Sequence, residues 1–385
     1  MEKRIIYLDN NATTVVAPEV LEVMLPFLRE QYANPSSPHL FGGRVRCALD
    51  EARERIAIFL GVHPSEIIFT SGGTESNHLA IHGVLAARPE KNHLIISSVE
   101  HSSILRPCQL LEKQGYFVSY LPVDSQGAVD PELLKSAIQP QTALISVMAA
   151  NNETGVLFPI KELARVAYEN GIPFHTDAVQ AVGKIPFSLK QSPIALLSLS
   201  GHKLHAVKGV GVLYIRKGTP WKPVIVGGHQ ERDRRGGTEN VPAIIGLGKA
   251  CELAGIICEE SAKQIKKLKE RLEGELSNRI PDMRIHGKDL WRLENTSLIS
   301  FLNVDSETLI LALSDRGICV SSGSACVSGL MLPSHVLKAM AVEEVFARGT
   351  IRFSLSRYTT ESEIEETVDA VTELVEQIRY IAEAS

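Results

Sequence analysis

Between about residues 65 and 215, seven short β-branched or apolar runs alternate with helical stretches: EIIFTS, NHLIISS, YFVSYLPV, ALISVMAA, IPFHTDA, IALLSLS and GVLYIR. Strands separated by helices pair through crossovers, so this rhythm predicts a mainly parallel sheet covered by helices on both faces. An α/β sheet of this kind collects its active groups where strands give way to loops. From about residue 258 the texture changes to a long amphipathic helix, a run of shorter strands and an acidic closing helix after TTESEIEETV. With 385 residues the chain exceeds what one hydrophobic core usually organises. The expected division is a large domain over residues 16–257 and a smaller α+β domain built from 1–15 and 258–385.

Hydrophobic residues at 44% and charged residues at 22% are those of a globular protein with a large core. A net charge of −5 leaves no electrostatic footprint for nucleic acid. The lysine-rich run KQIKKLKERLE also carries Ile265, Leu268 and Leu272 at helical spacing, which reads as a solvated helix face. The N-terminus lacks an apolar core of signal-peptide length, and no window is expected to approach the roughly 18 apolar residues of a membrane span. A cytoplasmic location is therefore expected. Six cysteines (Cys47, Cys108, Cys251, Cys258, Cys319 and Cys326) are scattered without C-x-x-C pairs, which suits neither a disulfide framework nor a zinc site. Most are expected to be reduced and buried. His78 and His82 lie four apart, but HLAIH lacks the glutamate of a zinc hydrolase, and no metal site is expected.

The stretch EIIFTSGGTESNHLAIHG reads as strand, turn and helix, with Gly72 and Gly73 at the turn and Thr74 entering the helix. Glycines let backbone approach a ligand, and a helix N-terminus offers unpaired N–H groups to an anion such as phosphate. A Gly-Gly pair also makes a plain tight turn. The stretch lacks the Gly-Lys-Ser/Thr of a P-loop, and GVGVLY near 209 lacks the third glycine of a dinucleotide fingerprint. In GIPFHTDAVQAVG, Asp177 ends an apolar run three residues before Gln180; it can cap the following helix or pair with a cationic ring nitrogen. In SGHK, Ser200 and His202 can donate to phosphate, while Lys203 is either a solvated lysine or a neutral amine able to form an imine. Together these pieces describe a site for pyridoxal phosphate: a helix N-terminus for its phosphate, an aspartate for its ring nitrogen and a lysine for its aldehyde.

One cysteine stands apart. In VSSGSACVSGL, Cys326 sits among serines and glycines that give it little cover, whereas a structural cysteine behaves as a small buried apolar residue. Cys319, in the apolar RGICV, is expected to be a packed strand residue.

At these residues the chain resembles the cysteine desulfurases, a family of fold-type I pyridoxal phosphate enzymes. The resemblance runs from YLDNNATT through SGGTES, EHSS, AANNETG, HTDAVQ, SGHK, RRGGTENV and SSGSACVSG to IRFSLSRYTT. It matches the branch whose cysteine loop reads Ser-Ser-Gly-Ser-Ala-Cys. The resemblance implies that Lys203 binds the cofactor's aldehyde and later moves protons on the substrate. His101 would stack on the ring and assist acid–base steps; Asn152 and Gln180 would bond the ring hydroxyl, and Asp177 the ring nitrogen. Gly73, Thr74, Ser200 and His202 would hold the phosphate. Thr238 would reach the phosphate in a partner subunit, implying a homodimer. Arg352, with Asn152, would hold the substrate carboxylate, a task suited to paired guanidinium donors. L-cysteine would lose its sulfur to the thiolate of Cys326, leaving alanine and a persulfide destined for an acceptor such as an iron–sulfur scaffold protein.

Four positions depart from the family's pattern: Ala206 and Val207 stand where Gly-Pro is more usual, His78 replaces a second asparagine, and Gly201 replaces a common alanine. None removes a group the chemistry requires. The competing readings are selenocysteine lyase or aminotransferase chemistry on the same cofactor, and a non-enzymatic sulfur carrier with a vestigial site. An aminotransferase has no use for a nucleophile at Cys326, and a vestigial site has none for Lys203.

Overall fold

The computed structural model describes residues 4–322 and 334–383. β1 (Ile6–Tyr7), α1 (Pro18–Arg29) and α2 (Leu40–Leu60) precede the alternating segment. That segment runs β2 (Ile67–Thr70), α3 (Gly73–Ala87), β3 (His93–Ser97), α4 (Ser102–Glu112), β4 (Phe117–Leu121), α5 (Pro131–Ala137), β5 (Thr142–Ser146), α6 (Ile160–Glu169), β6 (Phe174–Asp177), β7 (Leu196–Ser200) and β8 (Gly211–Ile215). All seven runs read from the sequence are strands of one sheet, ordered β2-β8-β7-β6-β5-β3-β4. β3 to β7 pair in parallel, while β8 is antiparallel to both of its neighbours, β2 and β7. Being antiparallel to β8, β2 runs in the same direction as β7. The C-terminal ends of β2, β3, β5, β6 and β7 therefore share one edge.

Successive strand residues serve opposite faces, as the pleat requires. Ile68, Leu94, Ile96, Leu144, Leu196 and Leu213 pack with Leu79, Ile81 and Val84 of α3 and Ile104 of α4. Ile67, Phe69, Ile95, Ile145, Phe174, Leu197 and Leu199 face the other way, into the core that includes α1, α2 and α6. The same core takes the first half of α7 (Val241–Arg279). Here an expectation is corrected: one 18-residue window of α7 has a mean hydropathy of 1.7, enough by length and composition for a membrane span. Its apolar residues are accounted for by packing, since Val241, Ala243, Ile244, Leu247 and Ala250 are buried in the core shared with α1 and α2. Glycines let the helices approach: a Cβ on Gly248 would stand 2.9 Å from the Cα of Ala52, and one on Gly246 would stand 2.6 Å from the sulfur of Met24.

α7 continues without a break past residue 258, and its second half, through Leu268, Leu272 and Leu276, enters a separate hydrophobic cluster. Lys263, Lys266 and Lys267 face solvent, as the lysine-rich run suggests, but Lys269 is buried and donates to the carbonyl of Leu293 and the carboxylate of Glu294. The cluster is completed by β9 (Met283–Ile285), β10 (Thr296–Phe301), α8 (Ser306–Asp315), β11 (Ile318–Cys319), β12 (Thr350–Ser354) and α11 (Glu361–Glu383). Of the two short helices before β12, α9 (His335–Ala339) sends Val336 into the large core, while its Leu337 packs with Leu298 and with Ala347 of α10 (Glu344–Ala347). β12, β10 and β9 form an antiparallel sheet, and β1 pairs in parallel with β11. Of the five described cysteines, all free, only Cys108 and Cys251 are buried; Cys47 is exposed on α2, and Cys258 and Cys319 are half-buried. Cys326 lies outside the described residues.

A buried ion pair fixes the segment after β8. Arg53 of α2 donates twice to Glu231, both bonds at 2.8 Å, and once to the carbonyl of Ile67, while Glu231 also accepts from the N–H of Phe69. Removing one member of such a pair strands a buried charge, at a cost of roughly 3–5 kcal/mol. Glu231→Ala is therefore expected to lower the unfolding free energy by about that amount in urea denaturation, and Arg53→Met with Glu231→Leu to recover most of it.

Candidate active site

The strand ends at the common edge carry the polar residues singled out above. Lys203 closes a single 3₁₀ turn directly after β7. Its amine donates to the backbone carbonyls of Asn11 and Ala12. Burial, reinforced by the charge of Arg352, pulls its pKa from 10.5 down to about 8, against the opposing pull of Asp9 and Asp177. Far more of it is thus the free amine near neutral pH than of an ordinary lysine, and this is the form that attacks an aldehyde.

Asp177, buried at the end of β6, accepts from the N–H of Val179 at 3.0 Å and from Nδ2 of Asn77 at 2.8 Å. The first bond closes a turn, since no helix follows β6 for Asp177 to cap; the second is one the sequence did not reveal. Asn77 also donates to Ser103 Oγ, which lies 2.8 Å from Nδ1 of His101. His101 caps α4, its Nδ1 accepting from the N–H of Ser103, so a neutral imidazole keeps its proton on Nε2. Burial pushes the pKa of His101 down against the attraction of Asp177, with Lys203 adding to the downward push. A chain of bonds therefore runs from Asp177 through Asn77 and Ser103 to His101.

The helix α3 begins at Gly72, which has φ 154° and no side-chain cap. The glycines are required by closeness: a Cβ on Gly73 would lie 2.8 Å from Val179, and one on Gly211 would lie 2.7 Å from the Cα of Gly72. Thr74 is exposed in the first turn of α3, and Ser200 is buried close to both glycines. His202 has Nδ1 3.2 Å from the hydroxyl of Thr13; burial and the charges of Lys203, Lys208 and Lys184 hold its pKa at about 4, so it meets an anion as a neutral donor. The turn after Lys203 absorbs the departures from the family pattern. A Cβ on Gly201 would sit 2.8 Å from Val210 and 3.3 Å from the Cβ of Ala206, so the glycine at 201 makes room for the alanine at 206. His205, with φ 61°, carries the left-handed residue of that turn.

Arg352 lies on β12, inside the protein and not at its surface. It is buried, donates to the carbonyl of Asn152 at 3.0 Å and to Asp9 at 2.7 Å, and its Nε has no partner among the described residues. Gln180 donates to the carbonyl of Asn11 at 3.0 Å, the same oxygen that accepts from Lys203. Asn11 also reaches Asn152, Thr296 and Ser354, joining strand ends of the large sheet to the smaller one. Gly73, Thr74, His101, Asn152, Asp177, Gln180, Ser200, His202, Lys203 and Arg352 thus cluster at one edge. Thr238 stands apart: it is exposed, on a segment tied to the first turn of α3 by Arg235, which donates to Glu75 at 2.8 and 3.1 Å. The sequence reading missed Asn11, Asn77, Ser103 and Lys184; Asn11 and Asn77 lie inside quoted motifs, but only the fold gives them partners.

The described flanks of the segment that carries Cys326 are anchored at this edge. Ser321 and Arg352 exchange backbone hydrogen bonds of 3.3 and 2.6 Å. On the far side, Ser334 donates to Glu153 at 2.5 Å and His335 to the carbonyl of Glu100 at 2.9 Å. Glu153, buried beside Asn152, has its pKa raised to about 7 by burial.

The donor set fits pyridoxal phosphate. An uncapped, glycine-lined helix start suits a phosphate, a buried carboxylate suits a ring N–H, and a lysine that gives up its proton readily suits an aldehyde. Residues 6–367 match the aminotransferase class-V family. A protein of Trichormus variabilis named cysteine desulfurase 2 is 54% identical over 378 residues, covering 98% of this chain and 95% of its own. The cysteine desulfurase NifS of Azotobacter vinelandii is 50% identical over 98% of this chain and 94% of its own. Among solved structures, a NifS-like protein superposes with a TM-score of 0.92 at 40% identity, covering 97% of this chain and 100% of its own. A structure titled SspA in complex with cysteine gives 0.81 at 39% identity, over 92% of this chain and 99% of the other. With the same fold and about half of its residues in common with these relatives, the chain belongs to the cysteine desulfurases of the aminotransferase class-V family.

Proposed function

We propose that this protein converts L-cysteine to L-alanine and passes the sulfur, as a persulfide on Cys326, to an acceptor protein. The observation that carries the proposal is the amine of Lys203, whose pKa burial lowers to about 8 at the strand edge it shares with Asp177. When bound, pyridoxal phosphate supplies the electron sink for the pair released as the α-proton leaves and the carbon–sulfur bond opens. Gly73, Thr74, Ser200 and His202 hold its phosphate. Asp177, kept in place by Asn77 and the N–H of Val179, holds the proton on its ring nitrogen. His101 covers the ring, and Asn152 and Gln180 bond its hydroxyl oxygen. Arg352 and Asn152 fix the substrate carboxylate, and Lys203 takes the α-proton and later returns a proton to the carbon skeleton. The thiolate of Cys326 attacks the substrate sulfur; a sulfur–sulfur bond forms, the carbon–sulfur bond breaks, and its electron pair stays with the carbon that becomes the alanine methyl group. The anchored flanks at Ser321 and Ser334 support this role by tethering the segment at both ends beside Arg352 and Asn152.

The same reading makes the protein a cytoplasmic homodimer with two domains, 16–257 and 1–15 with 258–385, and an iron–sulfur scaffold as its acceptor. Thr238, exposed beside the anchored Arg235, reaches the phosphate of the partner's site. The neighbouring Val224 and Val226, at 41% and 83% exposure, supply apolar surface for the contact. The complex of the SspA structure with cysteine supports L-cysteine as the substrate.

Three outcomes test the mechanism. Cofactor uptake by the apoprotein, followed by absorbance, is expected to speed up about tenfold per pH unit below about 8, where the protonated amine of Lys203 predominates, and to level off above it. Cys326→Ala is expected to retain the bound cofactor's colour yet lose both sulfide release and the single added sulfur atom seen by mass spectrometry on the peptide containing residue 326; undiminished turnover would remove Cys326 from the mechanism. Arg352→Gln is expected to raise KM for L-cysteine roughly 10- to 150-fold, the equivalent of about 1.5–3 kcal/mol in charge-assisted hydrogen bonds.

A further inference from the structure

We infer that Lys184 is a positioning residue, whose amine fixes the side-chain amide of Gln180 so that an N–H rather than the carbonyl oxygen faces the cofactor's ring oxygen. The inference rests on the assignment of Gln180 to that oxygen made above. Lys184 lies one helical turn's length beyond Gln180, and its Nζ donates to Gln180 Oε1 at 2.5 Å and to Asn11 Oδ1 at 2.7 Å. On the other side of the same amide, Gln180 Nε2 donates to the Asn11 carbonyl at 3.0 Å. Turning the amide over would set Oε1 against that carbonyl oxygen and Nε2 against the amine of Lys184, two repulsive contacts in place of two hydrogen bonds. The orientation is therefore determined by its neighbours. An amide nitrogen carries two hydrogens, and Asn11 takes one. The other remains for an acceptor near Lys203, which shares the Asn11 carbonyl with Gln180.

Lys184 orients Asn11 in the same way. Asn11 Oδ1 accepts from Lys184 and from Asn295 at 3.0 Å, which turns Nδ2 toward the carbonyl of Asn152 at 3.2 Å and the hydroxyl of Thr296 at 2.9 Å. One amine thus sets the polarity of two amides beside the reactive lysine. The cations that act on Lys184 are Lys203 and Arg352, and Lys184 in turn acts on His202 and His205; Asp9 and Asp177 face Lys203 from the opposite sign. Because these charges also bear on Lys203, a test must separate the orientation of Gln180 from the bare charge of Lys184.

A double-mutant cycle read by visible absorbance of the holoenzyme against pH makes that separation. A donor on the ring oxygen draws off its charge and loosens the proton shared with the Lys203 nitrogen, so losing the donor raises the pH at which that proton leaves. Gln180→Ala is expected to raise this midpoint by about one pH unit, a tenfold change in proton affinity. Lys184→Met is expected to raise it in the wild-type background and to add nothing in the Gln180→Ala background. Lys184→Gln, whose amide can donate to Gln180 Oε1, is expected to return the midpoint most of the way. Where Lys184→Met does not accumulate, Lys184→Arg, which keeps the charge but displaces the donors, serves the same cycle. An equal shift in both backgrounds would show that Lys184 acts independently of Gln180 and overturn the inference while leaving Gln180 in its role. An unmoved midpoint in Gln180→Ala alone would instead overturn the assignment of Gln180, and the inference with it.

Discussion

Asn11 holds the site together. Its carbonyl accepts from Lys203 and Gln180, its side chain bonds Lys184, Asn152, Asn295 and Thr296, and its N–H reaches Ser354. The core of the smaller part is a hydrophobic cluster separate from those of the large sheet, joined to them by the unbroken α7. What this seam provides is registration. It fixes Arg352, which belongs to the smaller sheet, opposite the strand ends of the larger one. A residue with every polar group engaged tolerates little rearrangement, because each lost partner leaves a buried group unsatisfied.

The electrostatics of the cleft follow from the same crowding. Lys184, Lys203 and Arg352 are gathered with Asp9 and Asp177 in a poorly solvated space, and the cations depress one another's proton affinity. A lysine in such company is a better nucleophile at neutral pH than a surface lysine. The same excess of positive charge suits a ligand that brings a phosphate and a carboxylate. Asp9 meanwhile neutralises Arg352 from behind, so the guanidinium is not left as an unpaired buried charge.

The seven strands of the large sheet were legible because each is a short β-branched or apolar run bounded by glycine, proline or polar residues, and all but the edge strand β4 are buried on both faces. The direction of β8 was not legible, since a buried strand looks the same in either orientation. The start of α7 was placed late, near 258 instead of 241, because its small apolar first half carries no amphipathic stripe: it is covered by α1 and α2 on several sides. Among the candidate residues, Lys203 and Asp177 were legible from their positions after strand runs. Asn77 and Lys184 were not, because a buried amide or amine declares its role only through the groups it meets in space. The reading of Cys326 came from its exposed-looking company of serine and glycine, a local signal that needs no tertiary partner.

The pairing of β1 with β11 has a consequence for how the protein is born. Ile6 and Tyr7 lie beside Ile318 and Cys319, with the N–H groups of Ile6 and Leu8 donating to the carbonyls of Gly317 and Cys319, and Asp9 meets Arg352 across 343 residues of chain. A nascent polypeptide leaving the ribosome can form the large sheet, including Lys203 and Asp177, well before Arg352 has been translated. During that interval its first strand waits without a neighbour, and whatever cofactor it captures sits in a pocket that does not yet recognise an amino acid.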